Sequence, residues 1–470
     1  MRRRSILWAA AALSLLGAAS SAVGDPPPRP SVHYTVSIDA AIEHLDARVC
    51  FDGRPPRRLG PGVDAAARAL ITATDDEGRP LRFEDGRIDL SGLGDDACMR
   101  YRLDLPAAAR ASRFAGHLGG EMVSSQGAWL WRDRAAVPRG GGTIRFETPP
   151  NVVVTTPWRV RRDGSQHLGT AAFRRPGFVA FGHRAPRVVE RRGVRARLVR
   201  LGEGWTIGDD ALEAWLGEAI DGIAAVQGRF PVDDLVVILV PTVGSGMGFG
   251  MVRRGGGYSA IYMVGRESTP EALRESWVTW HELSHLQLPA LPQRDAWLYE
   301  GLATYYQEVI PARLGIQSRE AAWGELVDGF ARGARSRGTG DLGEDATSMM
   351  RTGGFQRVYW AGTAFALEAD VTLRQRGSSL DDAIRRAAPR WRNDFDVWTS
   401  DRVCAAWDAP LDASVLRPLR DRFVTQRGFP ATAALLRRLG VHERDGHVSL
   451  VPAELGPTRD GIMAARPSSP

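Results

Sequence analysis

The chain has 470 residues and a formal net charge of +6, with 61 basic residues against 55 aspartates and glutamates. All 61 basic residues are arginine, and the absence of lysine excludes lysine-dependent motifs such as a P-loop or an SxxK nucleophile. The arginines are interleaved with acidic residues, so no nucleic-acid-binding patch is predicted, and the length is enough for two to three domains.

The N-terminal segment has the pattern of a secretory signal peptide. Residues 2–4 are arginines, residues 6–19 are mainly apolar, and small residues precede Asp25. Because this apolar run is too short to cross a bilayer comfortably, we predict a signal peptide at residues 1–24 and export to the periplasm or the medium. An uncleaved membrane anchor is the alternative, and no later stretch is apolar enough to span a membrane. A proline-rich linker is predicted at residues 25–32.

Residues 33–200 are predicted to form a β-rich N-terminal domain that resembles a β-sandwich. Runs of β-branched and aromatic residues alternate there with Gly/Pro turns, as around the predicted strand at residues 195–199. Cys50 and Cys98 each lie in such a run, and in an exported protein they could join two strands through a disulfide. Cys404 would then be left over, and a buried helical position is expected for it.

Residues 201–330 begin with alternating helical and strand patterns. An amphipathic helix is predicted at residues 209–227, and buried strands are predicted at residues 235–240 and 258–264. The glycine-rich segment at residues 244–257 fits neither GxGxxG nor Walker spacing. We therefore expect a mobile loop at the edge of the sheet, bordering a cleft.

Two arginines, Arg253 and Arg254, lie in this glycine-rich segment, which contains no carboxylate. They could contact substrate carbonyls or an acidic side chain. Single arginines in a flexible loop are more often solvated, so a solvated position is the expected one.

The strongest chemical motif is His-Glu-Leu-Ser-His at residues 281–285. Its apolar neighbours predict one buried helix over residues 270–288, ended by Pro289. Histidines four positions apart lie on one helix face, so His281 and His285 can reach one zinc ion. Glu282 lies between them, where it can take a proton from a water molecule. Two hydrogen-bonded histidines without a metal are the alternative, although buried unpaired histidines are costly.

Glu300 is the candidate third ligand. It lies early in a second predicted helix, at residues 295–310, after a connection short enough to fold the two helices together. His281, His285 and Glu300 would hold one Zn²⁺ per chain and leave a fourth coordination position open. A surface glutamate near a helix N-terminus, favoured there by the helix dipole, is the alternative.

These motifs resemble the gluzincin zinc metallopeptidases. The histidine motif and Trp-Leu-Tyr-Glu-Gly at residues 297–301 are similar to the glycyl-aminopeptidase-like family, which is related to aminopeptidase N. Val-Tyr-Trp-Ala-Gly at residues 358–362 is similar to the family's tyrosine helix, and by that match Tyr359 would stabilise the oxyanion. The resemblance implies an α+β multidomain fold: the β-rich domain, a thermolysin-like zinc catalytic lobe at residues 201–330, and a helical C-terminal domain at residues 331–470.

Three features depart from the family pattern. The spacing from His285 to Glu300 is shorter than in the aminopeptidase N relatives. The glycine-rich segment lacks the carboxylate that holds the substrate's free amino group in the family. No PDZ-sized module follows the helical region. Specificity for free N-termini is therefore left open.

The sequence predicts an exported zinc-dependent metallopeptidase that hydrolyses peptide bonds, with Glu282 as general base and Tyr359 as oxyanion donor. The expected partners are peptide or protein substrates, with no nucleic acid and no stable membrane span after signal cleavage. An aminopeptidase of the same fold and a non-catalytic envelope binding protein that retains the fold are the alternatives. Substrate specificity and oligomeric state are left open.

Overall fold

The computed structural model describes residues 32–111, 116–133, 135, 137–336, 338 and 340–464. The predicted signal peptide lies outside these residues, as does the predicted linker apart from Val32. Within the described ranges, no helix combines the length and apolar character needed to cross a bilayer. The chain is of the mixed α+β type, with several sheets followed by a mainly helical region, and this part of the prediction is confirmed.

The N-terminal part consists mainly of strands joined by turns and short helices. The strands are β1 (Val32–Ile38), β2 (His44–Phe51), β3 (Arg58–Leu59), β4 (Leu70–Asp75), β5 (Phe83–Glu84), β6 (Arg87–Asp89), β7 (Cys98–Asp104), β8 (Gly116–Leu118), β9 (Glu121–Ser125), β10 (Gly142–Glu147), β11 (Val153–Thr155), β12 (Gln166–Leu168) and β13 (Phe178–Gly182). The helices are α1 (Leu105–Arg110), α2 (Gln126–Trp129) and α3 (Thr170–Arg174).

These strands form separate sheets that share an apolar core. The sheet orders are β12-β10-β1-β2-β7-β4, β11-β13-β9-β8 and β3-β6-β5. Buried and partly exposed residues alternate along β1, as expected for a strand with one face on the core. Cys50 of β2 faces Cys98 of β7, and the two are joined by a disulfide. The other cysteine, Cys404, is buried in the C-terminal part, as predicted.

A five-stranded sheet forms the centre of the molecule. Its strands are β14 (Arg187–Arg191), β15 (Val194–Arg200), β16 (Asp234–Thr242), β17 (Met247–Arg254) and β18 (Tyr258–Gly265), in the order β14-β15-β16-β18-β17. β15, β16 and β18 are parallel, and β17 pairs antiparallel to β18 at the edge. Helix α4 (Asp209–Gln227) has the predicted bounds. β16 is buried on both faces, against α4 on one side and against β9 and β13 on the other.

One strand prediction in this region is confirmed and one is wrong. The predicted strand at residues 195–199 is present as β15, although it pairs with β16 in the central sheet and not with the strands of the N-terminal part. The glycine-rich segment was expected as a mobile loop, but residues Met247–Arg254 form the edge strand β17. Glycine has a low intrinsic propensity for strands, but pairing with β18 supplies the backbone hydrogen bonds that stabilise this one.

The predicted helix over residues 270–288 is also wrong in its extent. It divides into α5 (Pro270–Arg274), α6 (Trp277–Ser284) and a 3₁₀ turn, His285–Gln287. Side chains of α6 contribute hydrogen bonds at the break: Thr279 Oγ1 donates to the Leu273 carbonyl at 3.4 Å, and Trp280 Nε1 donates to the Arg274 carbonyl at 3.1 Å. The Leu273 carbonyl also accepts the backbone N–H of Ser276 at 3.3 Å, so side-chain and backbone donors together satisfy the last carbonyls of α5.

The remaining elements are mainly helices. They are α7 (Ala296–Arg313), α8 (Arg319–Arg335), α9 (Leu342–Thr352), α10 (Phe355–Arg374), α11 (Leu380–Ala387), α12 (Ser400–Asp408), α13 (Leu416–Thr425), α14 (Ala433–Leu439), the hairpin of β19 (Val441–Arg444) and β20 (His447–Leu450), and α15 (Gly456–Ile462). One apolar core runs from the central sheet through these helices, so α6, α7 and α10 pack together.

Candidate metal centre

Helix α6, the 3₁₀ turn that follows it and helix α7 bring the three predicted ligands together. Nε2 of His281 lies 3.4 Å from Oε2 of Glu300, and Nε2 of His285 lies 3.5 Å from the same oxygen. The candidate ligand atoms of all three residues lie within 4.8 Å of one another. Both histidines are buried, with 3% and 6% of their surfaces exposed.

The donor set fits a zinc ion. Ligand bonds of about 2.0–2.1 Å at tetrahedral angles separate neighbouring donor atoms by about 3.3 Å. The two histidine–carboxylate separations, 3.4 and 3.5 Å, are close to that value and longer than a good hydrogen bond. Two imidazole nitrogens and one carboxylate oxygen are also the donor types that zinc accepts, and they leave a fourth position for a substrate or solvent oxygen.

The ring of His281 is oriented by a residue that the sequence analysis did not identify. Nδ1 of His281 lies 2.9 Å from Oε1 of Gln307, so a proton on Nδ1 directs the lone pair of Nε2 towards Glu300. Burial opposes the charged form of His281, but its interactions with Glu300, Glu282 and Gln307 together outweigh burial and raise the pKa of the imidazole. Gln307 lies seven positions after Glu300 on α7, and that helical spacing is a signal that could have identified it.

The ring of the second histidine, His285, packs against an aromatic side chain. It stacks on Tyr299, with centroids 4.0 Å apart and an interplanar angle of 13°. Burial lowers the pKa of His285 well below its ordinary value, which favours the neutral ligand form. Tyr299 directly precedes Glu300 on α7, so neighbouring residues of this helix provide a candidate ligand and the ring that packs against His285.

Arg254 fixes this arrangement and is not solvated as the sequence predicted. Its guanidinium donates to the Tyr299 hydroxyl at 3.0 Å, to the His285 carbonyl at 2.7 Å and to the Leu288 carbonyl at 2.8 Å. These carbonyls lie in and directly after the 3₁₀ turn that follows α6, where backbone donors are lacking. With 8% of its surface exposed, Arg254 is a buried link between β17 and the metal centre.

Glu282 lies on the side of α6 that faces β17. The backbone N–H of Val252 donates to its Oε2 at 3.0 Å, and burial raises the pKa of the carboxyl to about 7. Gly250 makes this approach possible, because a Cβ at that position would lie 2.6 Å from Cγ of Glu282 and 2.8 Å from Cγ1 of Val278. The edge strand therefore holds the carboxylate beside the ligand triad.

Comparison with known proteins identifies the fold. No protein-family model matches the sequence, and no curated protein matches it. The solved structure of an aminopeptidase N family protein from Idiomarina loihiensis matches with a TM-score of 0.63 and 15% identity, over 87% of this chain and 78% of that one. This chain has the fold of the aminopeptidase N-like metallopeptidases. A variant of an M1 zinc metallopeptidase from Deinococcus radiodurans, bound to a Tyr-Ser-Ala substrate, matches with a TM-score of 0.50 and 15% identity, over 85% and 94% of the two chains.

In this aminopeptidase N-like fold, the predicted Tyr359 reaches the same site from α10. Its ring lies parallel to that of His281, with centroids 5.9 Å apart and an interplanar angle of 14°. Burial, followed by the negative charge of Glu300 and a hydrogen bond to it, raises the pKa of the Tyr359 hydroxyl. The phenol is therefore protonated at neutral pH and can donate a hydrogen bond.

A glycine contact between α7 and α10 brings Tyr359 this close. A Cβ on Gly362 would lie 1.8 Å from the Trp297 carbonyl oxygen, and a Cβ on Gly301 would lie 2.2 Å from the Gly362 carbonyl carbon. The two helix backbones thus touch, one residue beyond Glu300 and one turn beyond Tyr359. This close contact is a steric reason for glycine at position 362 in the helix that resembles the family's tyrosine helix.

Proposed function

We propose that this protein is an exported zinc-dependent metallopeptidase that hydrolyses peptide bonds. The observation that carries the proposal is the ligand triad, whose candidate ligand atoms lie within 4.8 Å of one another, with Glu282 held beside it by the Val252 N–H. The aminopeptidase N-like fold supports a peptide substrate, since the Deinococcus metallopeptidase variant was solved with Tyr-Ser-Ala bound.

His281, His285 and Glu300 are proposed as the ligands of one zinc ion. Bound there, zinc would lower the pKa of a coordinated water and polarise a substrate carbonyl. Oε2 of Glu282 accepts the Val252 N–H, so the other carboxylate oxygen is available to take a proton from the attacking water and pass it to the leaving amine. Tyr359 is proposed to donate a hydrogen bond to the developing oxyanion.

The finer assignment of the chain is part of the proposal. Residues 201–330 would be the thermolysin-like catalytic lobe, between a β-sandwich-like domain at residues 33–200 and a helical domain at residues 331–470, with β14 and β15 at the end of the first range completing the sheet of the lobe. The Cys50–Cys98 disulfide supports export, because disulfides persist mainly in oxidising compartments. Sequencing the N-terminus of the mature protein from cell fractions tests export, and a start near residue 25 is expected.

We further infer that hydrolysis does not require a free substrate N-terminus. Within the described residues of β17 there is no carboxylate to hold an amino group. The test compares each peptide with its N-acetylated form. Equal cleavage supports an endopeptidase, whereas loss of cleavage on acetylation would support the aminopeptidase alternative.

Metal analysis and peptide turnover together test the main proposal. The wild-type protein is expected to carry one zinc per chain and to cleave members of a mixed peptide library. Glu282→Gln should keep zinc and lose turnover, Glu300→Ala should lose zinc, and the exposed Glu203→Gln should match the wild type.

Two outcomes would contradict this assignment. Full turnover in Glu282→Gln would remove the general base from the mechanism. Substoichiometric zinc in the wild-type protein, together with no cleavage of any library peptide, would favour the non-catalytic binding protein.

A further inference from the structure

A cleft beside the candidate metal centre carries an excess of positive charge. It has a volume of about 270 Å³ and is lined by the end of β17, by the connection before α7 and by the start of α7, which includes Glu300. Its lining includes Arg175, Arg253 and Arg254, and Glu300 is the one carboxylate among the described lining residues. The charge on this lining therefore favours an anionic ligand group.

The three arginines differ in what they do in the folded chain. Arg254 uses its donors on Tyr299 and on two carbonyls, so its role is structural. Arg253 and Arg175 donate no side-chain hydrogen bond and form no ion pair with any residue in the described ranges. Nη1 of Arg175 is buried without a partner.

Nearby acids only partly offset these two charges. Glu282 and Glu300 act on Arg253 across the cleft, while Asp394 and Asp396 act on Arg175. None of them comes within ion-pair distance. Desolvated cations without a close partner are costly, and a planar guanidinium matches a carboxylate through two parallel N–H donors.

We propose that Arg253, assisted by Arg175, forms a carboxylate-binding subsite that selects substrates with a negative group near the scissile bond. The inference rests on the proposed peptidase function and names its substrate class. The carboxylate comes from an aspartate or glutamate side chain or from the free C-terminus of a short peptide. The same positive lining disfavours a free amino group, in line with the lack of a carboxylate on β17.

Matched peptides test the subsite. One series compares Glu with Gln at each position flanking the scissile bond, and a second compares a free C-terminal acid with its amide. For the zinc-loaded wild type, kcat/KM is expected to be at least tenfold higher for the charged member of one pair, the effect of one charge-assisted contact.

Four variants test whether the preference depends on the charge and the planar shape of the guanidinium group. In Arg253→Gln the ratio of kcat/KM for the charged peptide to that for its neutral partner should fall to within threefold of one, and Arg175→Gln should lower this ratio by a smaller factor. Arg253→Lys keeps the charge without the planar fork, so part of the preference should remain. The exposed Arg162→Gln is the matched control and should retain the full preference. Circular dichroism checks that each variant is folded.

The outcomes distinguish this proposal from the proposed function. A preference in the first series alone assigns the carboxylate to a side chain, and in the second alone to the C-terminus. No preference in either series, with neutral peptides cleaved, overturns the subsite and leaves the peptidase intact. If no peptide is cleaved, calorimetry with zinc-loaded Glu282→Gln decides: tenfold tighter binding of charged peptides supports the subsite, and equal binding overturns it.

Discussion

Replacing Gly362 by alanine tests whether the contact between α7 and α10 determines the position of Tyr359. The added Cβ would lie 1.8 Å from the Trp297 carbonyl oxygen and 2.9 Å from the Gly301 Cα. Since an ordinary contact begins at 3.4 Å, the two backbones must separate by about 1.6 Å. Neither neighbour is the end of a flexible side chain, so the helices themselves must move.

The expected cost has two parts. Overpacking a buried contact lowers the free energy of unfolding by about 1–3 kcal/mol. Because the clash here is with backbone atoms, which cannot rotate away, we expect a loss at the upper end of that range. Tyr359 lies one helical turn before Gly362 and would move with α10 relative to Glu300. A misplacement of about 1 Å at a reacting centre costs about 10²-fold in rate, so kcat should fall by about two orders of magnitude.

Urea denaturation and steady-state kinetics on one peptide substrate measure the two effects. The control is Gly324→Ala on α8, where an added Cβ meets nothing within 4 Å. That change should stabilise the protein by up to about 1 kcal/mol, because alanine favours a helix over glycine, and kcat should not change. If Gly362→Ala matched Gly324→Ala in both measurements, the steric argument would be wrong.

Two further substitutions test the groups around the ligands. Tyr359→Phe should lower kcat by about 10²–10³ with little change in zinc content, because it removes one oxyanion donor; an unchanged kcat would exclude Tyr359 from the mechanism. Gln307→Leu should weaken zinc binding by about 10–100-fold, since Nδ1 of His281 loses its acceptor, and competition with a chelator measures the affinity. Equal affinity in that assay would mean that Gln307 does not orient the ring.

The candidate ligands could be predicted because helical periodicity is a local property. Residues four apart on a helix face the same way, and His285, directly after α6, keeps helical backbone angles. The spacing of His281 and His285 therefore already determined that they could meet one ion. The break before α6 could not be predicted in this way. Neither Glu275 nor Ser276 is a strong helix breaker, and two of the bonds at the break come from the side chains of Thr279 and Trp280.

The edge strand shows where local propensity fails. The glycines of residues 246–250 are poor strand formers, and a loop is the natural prediction from them. Pairing with β18 overrides that preference. Glycine is needed at position 250 because a Cβ there would clash with the side chain of Glu282. The same applies to Arg254, because only the folded chain brings the His285 and Leu288 carbonyls within its reach.

β17 forms hydrogen bonds both to the proposed base and to the 3₁₀ turn that follows α6. Val252 fixes Glu282 through a backbone donor, and Arg254 two residues later fixes His285 and Leu288 through their carbonyls. None of these bonds uses a candidate ligand atom. The protein's own hydrogen bonds therefore fix the positions of Glu282 and of the 3₁₀ turn that contains His285, independently of metal binding. A strand that slipped by one residue would turn its side chains to opposite faces. The register of β17 on β18 is therefore part of the site, and the shape of the arginine-lined cleft depends on it as well.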